Sequence, residues 1–150
     1  MDSPTVFYKR STFVTHLPKD ALFSPSHYWL ALEQDNTWRV GFTKFATRML
    51  GDLVDHQFEK SDGDPISSGD IVGSVEGFKA ISDLYAPASG AFAGGNPLLK
   101  KDPELIGNDP YGEGWLFRVI GTPDSRCTAV DGYRSLLDAT IDRMLEKEEK

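Results

Sequence analysis

The feature that most constrains the fold of this chain is a pair of short strand-like runs separated by a glycine and a lysine. Ile71–Val75 is rich in β-branched residues, and Ile81–Tyr85 is a second run of strand composition that Ala86-Pro87 ends. Two such runs this close together predict a β-hairpin. Gly77 gives the backbone freedom to turn, so the spacing puts Lys79 near the tip.

The side chains beside Lys79 suggest how this tip is held. We expect the apolar bodies of Phe78 and Ile81 to pack down on the flanks of the hairpin, while the lysine stem projects into water. An exposed lysine in a turn usually serves only solubility, so its position alone does not establish a function.

Composition excludes several classes of protein. The chain has 150 residues, 39% of them apolar, which suits one domain with an ordinary core. Its 16 Lys and Arg against 23 Asp and Glu give a formal charge of −7, which opposes binding to nucleic acid or to anionic membranes. The single cysteine, Cys127, allows no internal disulfide, and no apolar run approaches the roughly 20 residues of a membrane span. We therefore predict a soluble, cytoplasmic protein whose partners are proteins.

The chain divides into an N-terminal arm and one domain. Residues 1–25 mix Thr, Ser, Pro and Lys with few apolar residues, so we expect a loosely held arm with strand character only at Phe13–Thr15. Residues 26–150 are predicted to form a single domain. It includes an amphipathic C-terminal helix over residues 129–146, where apolar residues recur at helical spacing.

The remaining segments predict an all-β core with short helices. Ser26–Leu32 and Thr37–Phe42 form a first hairpin, and Gly114–Ile120 suits a central strand. Thr43 as N-cap and Gly51 after the last turn bound a helix of about two turns. Its predicted apolar face consists of Phe42, Ala46, Met49 and Leu50. No P-loop, dinucleotide fingerprint, zinc spacing or catalytic triad is found, so we predict no catalytic residues and no metal.

Residues 76–90 read Glu-Gly-Phe-Lys-Ala-Ile-Ser-Asp-Leu-Tyr-Ala-Pro-Ala-Ser-Gly and closely resemble the lipoylation segment of the glycine cleavage H-protein family. That segment commonly reads Glu-Ser-Val-Lys-Ala, followed by a tail with Ser-Asp or Ser-Glu, Tyr, Pro and Ser-Gly. The resemblance spans roughly Ser26 to the C-terminal helix and includes Pro110–Trp115. It implies a lipoyl/biotinyl-carrier-like barrel-sandwich hybrid, with lipoate covalently attached to Lys79 and Glu76 recognised by the ligase.

One departure from the common H-protein pattern lies in the first hairpin. H proteins commonly open it with Ser-His-Glu-Trp, and that glutamate is thought to help hold the aminomethylated arm in a cleft. Here the residues are Ser26-His27-Tyr28-Trp29, so the carboxylate is lost, whereas Asp83 matches another cleft position. The resemblance therefore implies a candidate arm-contacting cleft of Ser26, His27, Tyr28 and Asp83, with a changed residue at its centre.

A second departure is Gly77-Phe78 beside the lysine, which is similar to the lipoate-binding proteins of heterodisulfide-reductase-like sulfur oxidation. This likeness implies a carrier whose lipoylated lysine shuttles sulfur-bound intermediates between the enzymes of that pathway. Its partners would be a lipoate ligase or lipoyl-assembly enzymes and the heterodisulfide-reductase-like complex.

Two alternatives stay open. The first is a glycine cleavage H protein that carries the aminomethyl group, with glycine decarboxylase, aminomethyltransferase and dihydrolipoamide dehydrogenase as partners. The second is an H-like adaptor that is not lipoylated. In each case the resemblance implies a component of a multi-enzyme system rather than an enzyme. Biotin fits less well, because biotin carriers typically show Met-Lys-Met where this chain has Phe78-Lys79-Ala80.

Overall fold

The structure, a computed structural model, describes residues 4–148. Eleven strands occur in these residues: β1 Thr5–Arg10, β2 Phe13–Pro18, β3 Leu22–Phe23, β4 Tyr28–Gln34, β5 Thr37–Phe42, β6 Leu53–Phe58, β7 Pro65–Ile66, β8 Ile71–Gly77, β9 Ile81–Tyr85, β10 Ala88–Gly95 and β11 Phe117–Pro123. The helical segments are α1 Lys44–Leu50, a 3₁₀ turn at Pro97–Lys100, α2 Leu105–Asn108 and α3 Val130–Glu148. The predicted mainly β fold with short helices and a C-terminal helix is confirmed.

The strands pair antiparallel in three sheets. The largest has the order β3-β4-β5-β11-β10-β7, the second β6-β8-β9, and the third consists of β1 and β2. Apolar side chains from the first two sheets share one core, which includes Leu30, Val40, Val72, Leu84 and Phe117. Burial of these side chains is the main stabilising term, at about 1.5–3 kcal/mol for each large one.

The N-terminal segment differs from the expected loose arm. β1 and β2 form a hairpin whose Tyr8, Phe13 and Leu17 are buried in a second cluster with α3. The Tyr8 hydroxyl donates a 2.7 Å hydrogen bond to Asp138 on that helix. Because β2 buries every second residue, the hairpin has an ordinary amphipathic face and packs as part of the fold.

The helix α1 begins and ends as predicted, but its buried face is different. The Thr43 hydroxyl accepts a hydrogen bond from the Ala46 amide, and Gly51 follows the last turn with a φ of 77°. The buried residues are Phe45, Thr47 and Leu50. Met49, which we placed on the apolar face, is half exposed.

The predicted C-terminal helix is confirmed as α3. Among residues 4–148 no helix has the length and apolar character needed to cross a membrane.

Candidate functional site

The hairpin of β8 and β9 places Lys79 at its tip, as the sequence predicts. Glu76 pairs with Ile81, and the Gly77 amide donates a 2.9 Å hydrogen bond to the carbonyl of Ala80, which closes the turn. The turn therefore consists of Phe78, Lys79 and Ala80, and all three are exposed to solvent.

The tip is anchored through its backbone. The Lys79 amide donates to the carbonyl of Leu50 at 2.9 Å, and the Phe78 amide donates to the carbonyl of Asp52 at 3.0 Å. Leu50 is the last residue of α1, and Asp52 lies in the short segment that joins α1 to β6. Two bonds from adjacent residues fix the position and the direction of the turn, so Lys79 projects from a rigid mount.

Two glycines make this close approach possible. A Cβ at Gly77 would lie 2.2 Å from the carbonyl oxygen of Leu50, a backbone atom that cannot move aside without breaking the anchor. A Cβ at Gly51 would lie 2.9 Å from Cγ of Lys79, and Gly51 also has a positive φ. The lysine stem thus lies directly over a glycine at the end of α1.

The Lys79 Nζ lies 3.4 Å from the carbonyl oxygen of Arg48, in the last turn of α1. The carbonyl groups at the end of a helix carry partial negative charge and favour a cation there. An amide formed at Nζ would lose the charge but keep one N–H, which could still donate to this carbonyl. The site therefore suits both the free and the acylated lysine.

The apolar residues beside the lysine are not where we expected them. Phe78 is 79% exposed and Ile81 is 75% exposed, so neither packs on the flanks of the hairpin. The expectation that they hold the tip down is wrong, because the backbone bonds do so instead. They leave an apolar surface on both sides of Lys79, which is a feature of contact sites.

The four residues of the candidate cleft differ in their exposure. Ser26 and Asp83 are exposed, and Asp83 lies on β9 opposite Ser74, two pairs from the turn. Tyr28 is buried, stacks on Phe42 with ring centroids 5.1 Å apart, and accepts a 2.9 Å hydrogen bond from the Tyr85 amide. Burial raises the pKa of Tyr28 to about 12. The side chain belongs to the core, and its role as an arm-contacting residue stays a prediction.

His27 also points inward. Its Nδ1 lies 2.8 Å from the hydroxyl of Tyr133, and its ring packs on Phe45 with centroids 4.8 Å apart. Burial lowers the pKa of His27 to about 4, so the imidazole is neutral at pH 7. This histidine, directly before β4, connects the β4–β5 hairpin to α3. Its contacts are structural rather than directed toward Lys79.

Glu76, predicted to be recognised by the ligase, is exposed at the end of β8, opposite Ile81 and Asp55.

Sequence reasoning missed two neighbours of the lysine, Arg48 and Gly51. Gly51 was predicted as the end of α1, but nothing local in the sequence indicates that it lies under a side chain 28 positions later.

Comparison with known proteins agrees with this geometry. The family model described as glycine cleavage H-protein matches residues 21–139. The chain belongs to the glycine cleavage H-protein family. Members of this family carry a covalently attached lipoate on a lysine and serve as carriers rather than as enzymes. The β1–β2 hairpin, at residues 5–18, lies before the matched residues.

Individual H proteins cover most of the chain. The glycine cleavage system H protein of Shewanella sp. (strain ANA-3) is 37% identical over 128 residues, which are 83% of this chain and 98% of that protein. The H protein of Shewanella denitrificans is 38% identical over 125 residues, 81% and 96% of the two chains. A crystal structure of a glycine cleavage system H protein from Mycobacterium marinum superposes with a TM-score of 0.71 and 37% identity, covering 79% of this chain and 97% of that one. The predicted barrel-sandwich hybrid is thereby confirmed.

Proposed function

We propose that this chain is a lipoyl carrier in which lipoate is joined by an amide bond to Nζ of Lys79. The observation that carries the proposal is the anchored tip, because hydrogen bonds donated by the backbone amides of Phe78 and Lys79 hold the turn while the lysine side chain stays exposed. A ligase can therefore reach Nζ, and the arm then swings from a fixed point. Glu76, exposed two residues before the turn, is an acidic side chain placed to guide that ligase.

The chemistry of attachment follows from the lysine. The neutral amine attacks an activated carboxyl carbon, the activating group leaves, and one proton is released as the amide forms. Once bound, lipoate supplies a cyclic disulfide that exchanges with thiols. The protein supplies the mount, and the tether raises the effective concentration of the arm at each docked enzyme.

The direct test is attachment in a host with an active ligase. Intact mass and peptide mapping should place one lipoyl group on Lys79, and Lys79→Arg should remove it. As a matched control, Lys100→Arg should remain fully lipoylated, because Lys100 is exposed but lies in the 3₁₀ turn away from the hairpin. Lipoate on Lys44, Lys60 or Lys100, or on no lysine, would contradict the assignment.

The cargo that the family membership favours is the aminomethyl group of glycine cleavage. Glycine decarboxylase, aminomethyltransferase and dihydrolipoamide dehydrogenase would then load, unload and reoxidise the arm in turn. Asp83 supports this cargo, because its exposed carboxylate on β9 can pair with an ammonium near the tip.

A sulfur-bound cargo is favoured by one specific observation at Tyr28. Where H proteins commonly have a glutamate, this chain has a buried tyrosine whose hydroxyl is already used by the Tyr85 amide. No carboxylate is offered at that position, and a sulfane-sulfur load would need none. A heterodisulfide-reductase-like complex would then be the partner that receives it.

A pair of assays separates the two cargoes. Lipoylated protein is supplied as the disulfide with glycine and glycine decarboxylase in one assay, and in the other it is first reduced to the dithiol, whose thiolate attacks a sulfane-sulfur donor and displaces its leaving group. Loading and release are followed by mass. Aminomethyl carrying predicts efficient glycine turnover and several-fold faster release from Asp83→Asn, with Asp35→Asn as an exposed control on another turn. Sulfur carrying predicts poor glycine turnover and equal retention of the sulfur load by all three proteins.

A further inference from the structure

Two grooves open beside Lys79, and its side chain lines both of them. The first has a volume of about 460 Å³, lies between α1 and α2, and is lined largely by polar and charged side chains, including Lys44, Asp52, Glu104 and Asn108. The second has a volume of about 510 Å³ and lies between the turn of the β1–β2 hairpin, α1 and α3. Besides Lys79, it is lined by the polar or charged residues Arg10, Ser11, Thr12, Arg48 and Glu148 and by six large apolar residues, Phe13, Phe45, Met49, Ile141, Met144 and Leu145. We call this second space the apolar groove.

The walls of the apolar groove are well packed. The rings of Phe13 and Phe45 meet edge to face with centroids 5.6 Å apart. The guanidinium of Arg48 lies 5.7 Å from the centre of the Phe13 ring, and both residues line the groove together with Lys79. Phe13 belongs to the hairpin that precedes the residues matched by the family model, so part of this groove is made by a segment outside that match.

Resting on the assignment of lipoate to Lys79, we propose that the apolar groove holds the lipoyl arm when no partner enzyme is docked. The lipoyl arm is the expected occupant because of the position of Lys79, to which it would be attached. Lys79 lies on the rim, so a group attached to Nζ begins its path at the opening of the groove. In the groove on the other side the arm would meet only two large apolar side chains, Leu53 and Phe78, against six in the apolar groove.

The chemistry of the arm matches this lining. The lipoyl group is a chain of methylene groups that ends in a ring with two sulfur atoms, and it carries no charge. Methylene groups gain free energy when they leave water for an apolar wall. Met49 and Met144 offer flexible, polarisable thioethers that adapt to an irregular occupant, and both line this groove. The groove therefore shields the disulfide and releases the arm when a partner offers a better site.

The first test observes the methionines directly. Methionine methyl groups are labelled with ¹³C, and Met49→Leu and Met144→Leu assign the two signals of the groove. Both signals should shift when unmodified protein is compared with lipoylated protein, and Lys79→Arg from the same host should show no shift. Protein carrying an octanoyl group on Lys79 should give smaller shifts, because it has the methylene chain without the sulfur atoms.

The second test measures how well the disulfide is protected. Its reduction by a small water-soluble phosphine should be about fivefold slower on the wild-type protein than on free lipoamide, the effect of burying one or two methylene groups. Leu145→Gln and Met49→Gln keep helix-forming residues at partly exposed positions and should restore most of the free rate. Leu98→Gln, a partly exposed leucine in the 3₁₀ turn, should behave as the wild type.

Each outcome is decisive because lipoylation is measured separately by mass. Absence of lipoate on Lys79 would overturn the proposed function itself. Full lipoylation without methionine shifts, and with equal reduction rates for all variants, would overturn the inference while leaving the carrier intact. Methionine shifts in unmodified protein that grow with protein concentration would show a second copy of the chain in the groove, and would also overturn it.

Discussion

The β1–β2 hairpin and the β8–β9 hairpin both carry large apolar residues near their turns, and they place them differently. In the first, Tyr8 and Phe13 are about 95% buried against α3. In the second, Phe78 and Ile81 are more than 70% exposed. Side chains hold the turn of the first hairpin, whereas backbone hydrogen bonds to Leu50 and Asp52 hold the turn of the second, whose strands bury Val72, Val75 and Leu84 in the main core. A hairpin that presents a functional lysine can leave its side chains free for partners because its backbone supplies the anchor.

The largest effect on the free energy of unfolding is expected in the β1–β2 hairpin, where buried side chains hold the turn. Phe13→Ala removes a ring that packs edge to face on Phe45, and should lower the free energy of unfolding by about 3–4 kcal/mol. Phe7→Ala is the matched control in the same hairpin, because Phe7 is 56% exposed and should cost less than about 1 kcal/mol. Urea denaturation measures both. Equal, small losses would mean that the N-terminal hairpin is not part of the cooperative unit.

A pH experiment tests the same region through His27, whose ring packs on Phe45. Its pKa is about 4 in the folded protein against 6.5 for a free histidine, because burial penalises the charged form. Above pH 6.5 both states are neutral. As the pH falls from 6.5 to 4 the unfolded state binds a proton that the folded state does not, so stability falls by up to about 3 kcal/mol.

The control for that experiment is His27→Asn, since asparagine tolerates the positive φ of 74° at this position. Urea denaturation at pH 7.5 and pH 4.5 gives the loss for each protein. The variant should lose about 2.5 kcal/mol less than the wild type over this interval, and the carboxylates common to both proteins cancel. The same loss in both would show that His27 does not titrate as its burial requires.

Local chemistry made parts of this structure predictable from the sequence. The β-branched runs around Gly77 predict the lysine hairpin, and Thr43 and Gly51 predict the ends of α1, because turns and caps depend on residues close in the chain. The contact between Gly51 and Lys79 was not predictable in this way. It joins positions 28 residues apart and depends on how α1 and the hairpin pack.

Two other features were hidden for physical reasons. The burial of Tyr28 could not be derived from alternation, because Tyr28, Trp29 and Leu30 are all buried and β4 is covered on both faces. The β1–β2 hairpin was underestimated because charged and polar residues at 9–12 surround its turn. The alternation of Phe13, Thr15 and Leu17 with exposed residues matches a half-buried strand, and this period is a better guide to the structure than the composition of the segment.

A smaller effect is expected at the base of the lysine hairpin. Tyr28→Phe removes the acceptor of the Tyr85 amide and should cost about 1–2 kcal/mol, while amide hydrogen exchange at Tyr85 becomes faster. Tyr85→Ala keeps the backbone N–H and loses only a partly exposed side chain, so it should cost clearly less. Tyr28→Glu would bury a carboxylate in the core and should destabilise the protein far more than either. If Tyr28→Phe has no effect on exchange at Tyr85, the hydroxyl does not anchor the hairpin.

The smallest effect on stability is expected at Phe78, and it is the sharpest test of the comparison. Phe78→Ala removes a side chain that is 79% exposed, and the hydrogen bond from the backbone amide at position 78 to the Asp52 carbonyl remains. The free energy of unfolding should therefore change by less than about 0.5 kcal/mol. If the exposed ring serves partners, the variant should be lipoylated with a several-fold higher KM and an unchanged kcat. Ile71→Ala, a partly exposed residue at the other end of β8, is the control and should leave both constants unchanged. A stability loss above about 1 kcal/mol would mean that this ring holds the tip, and the contrast with the β1–β2 hairpin would be lost.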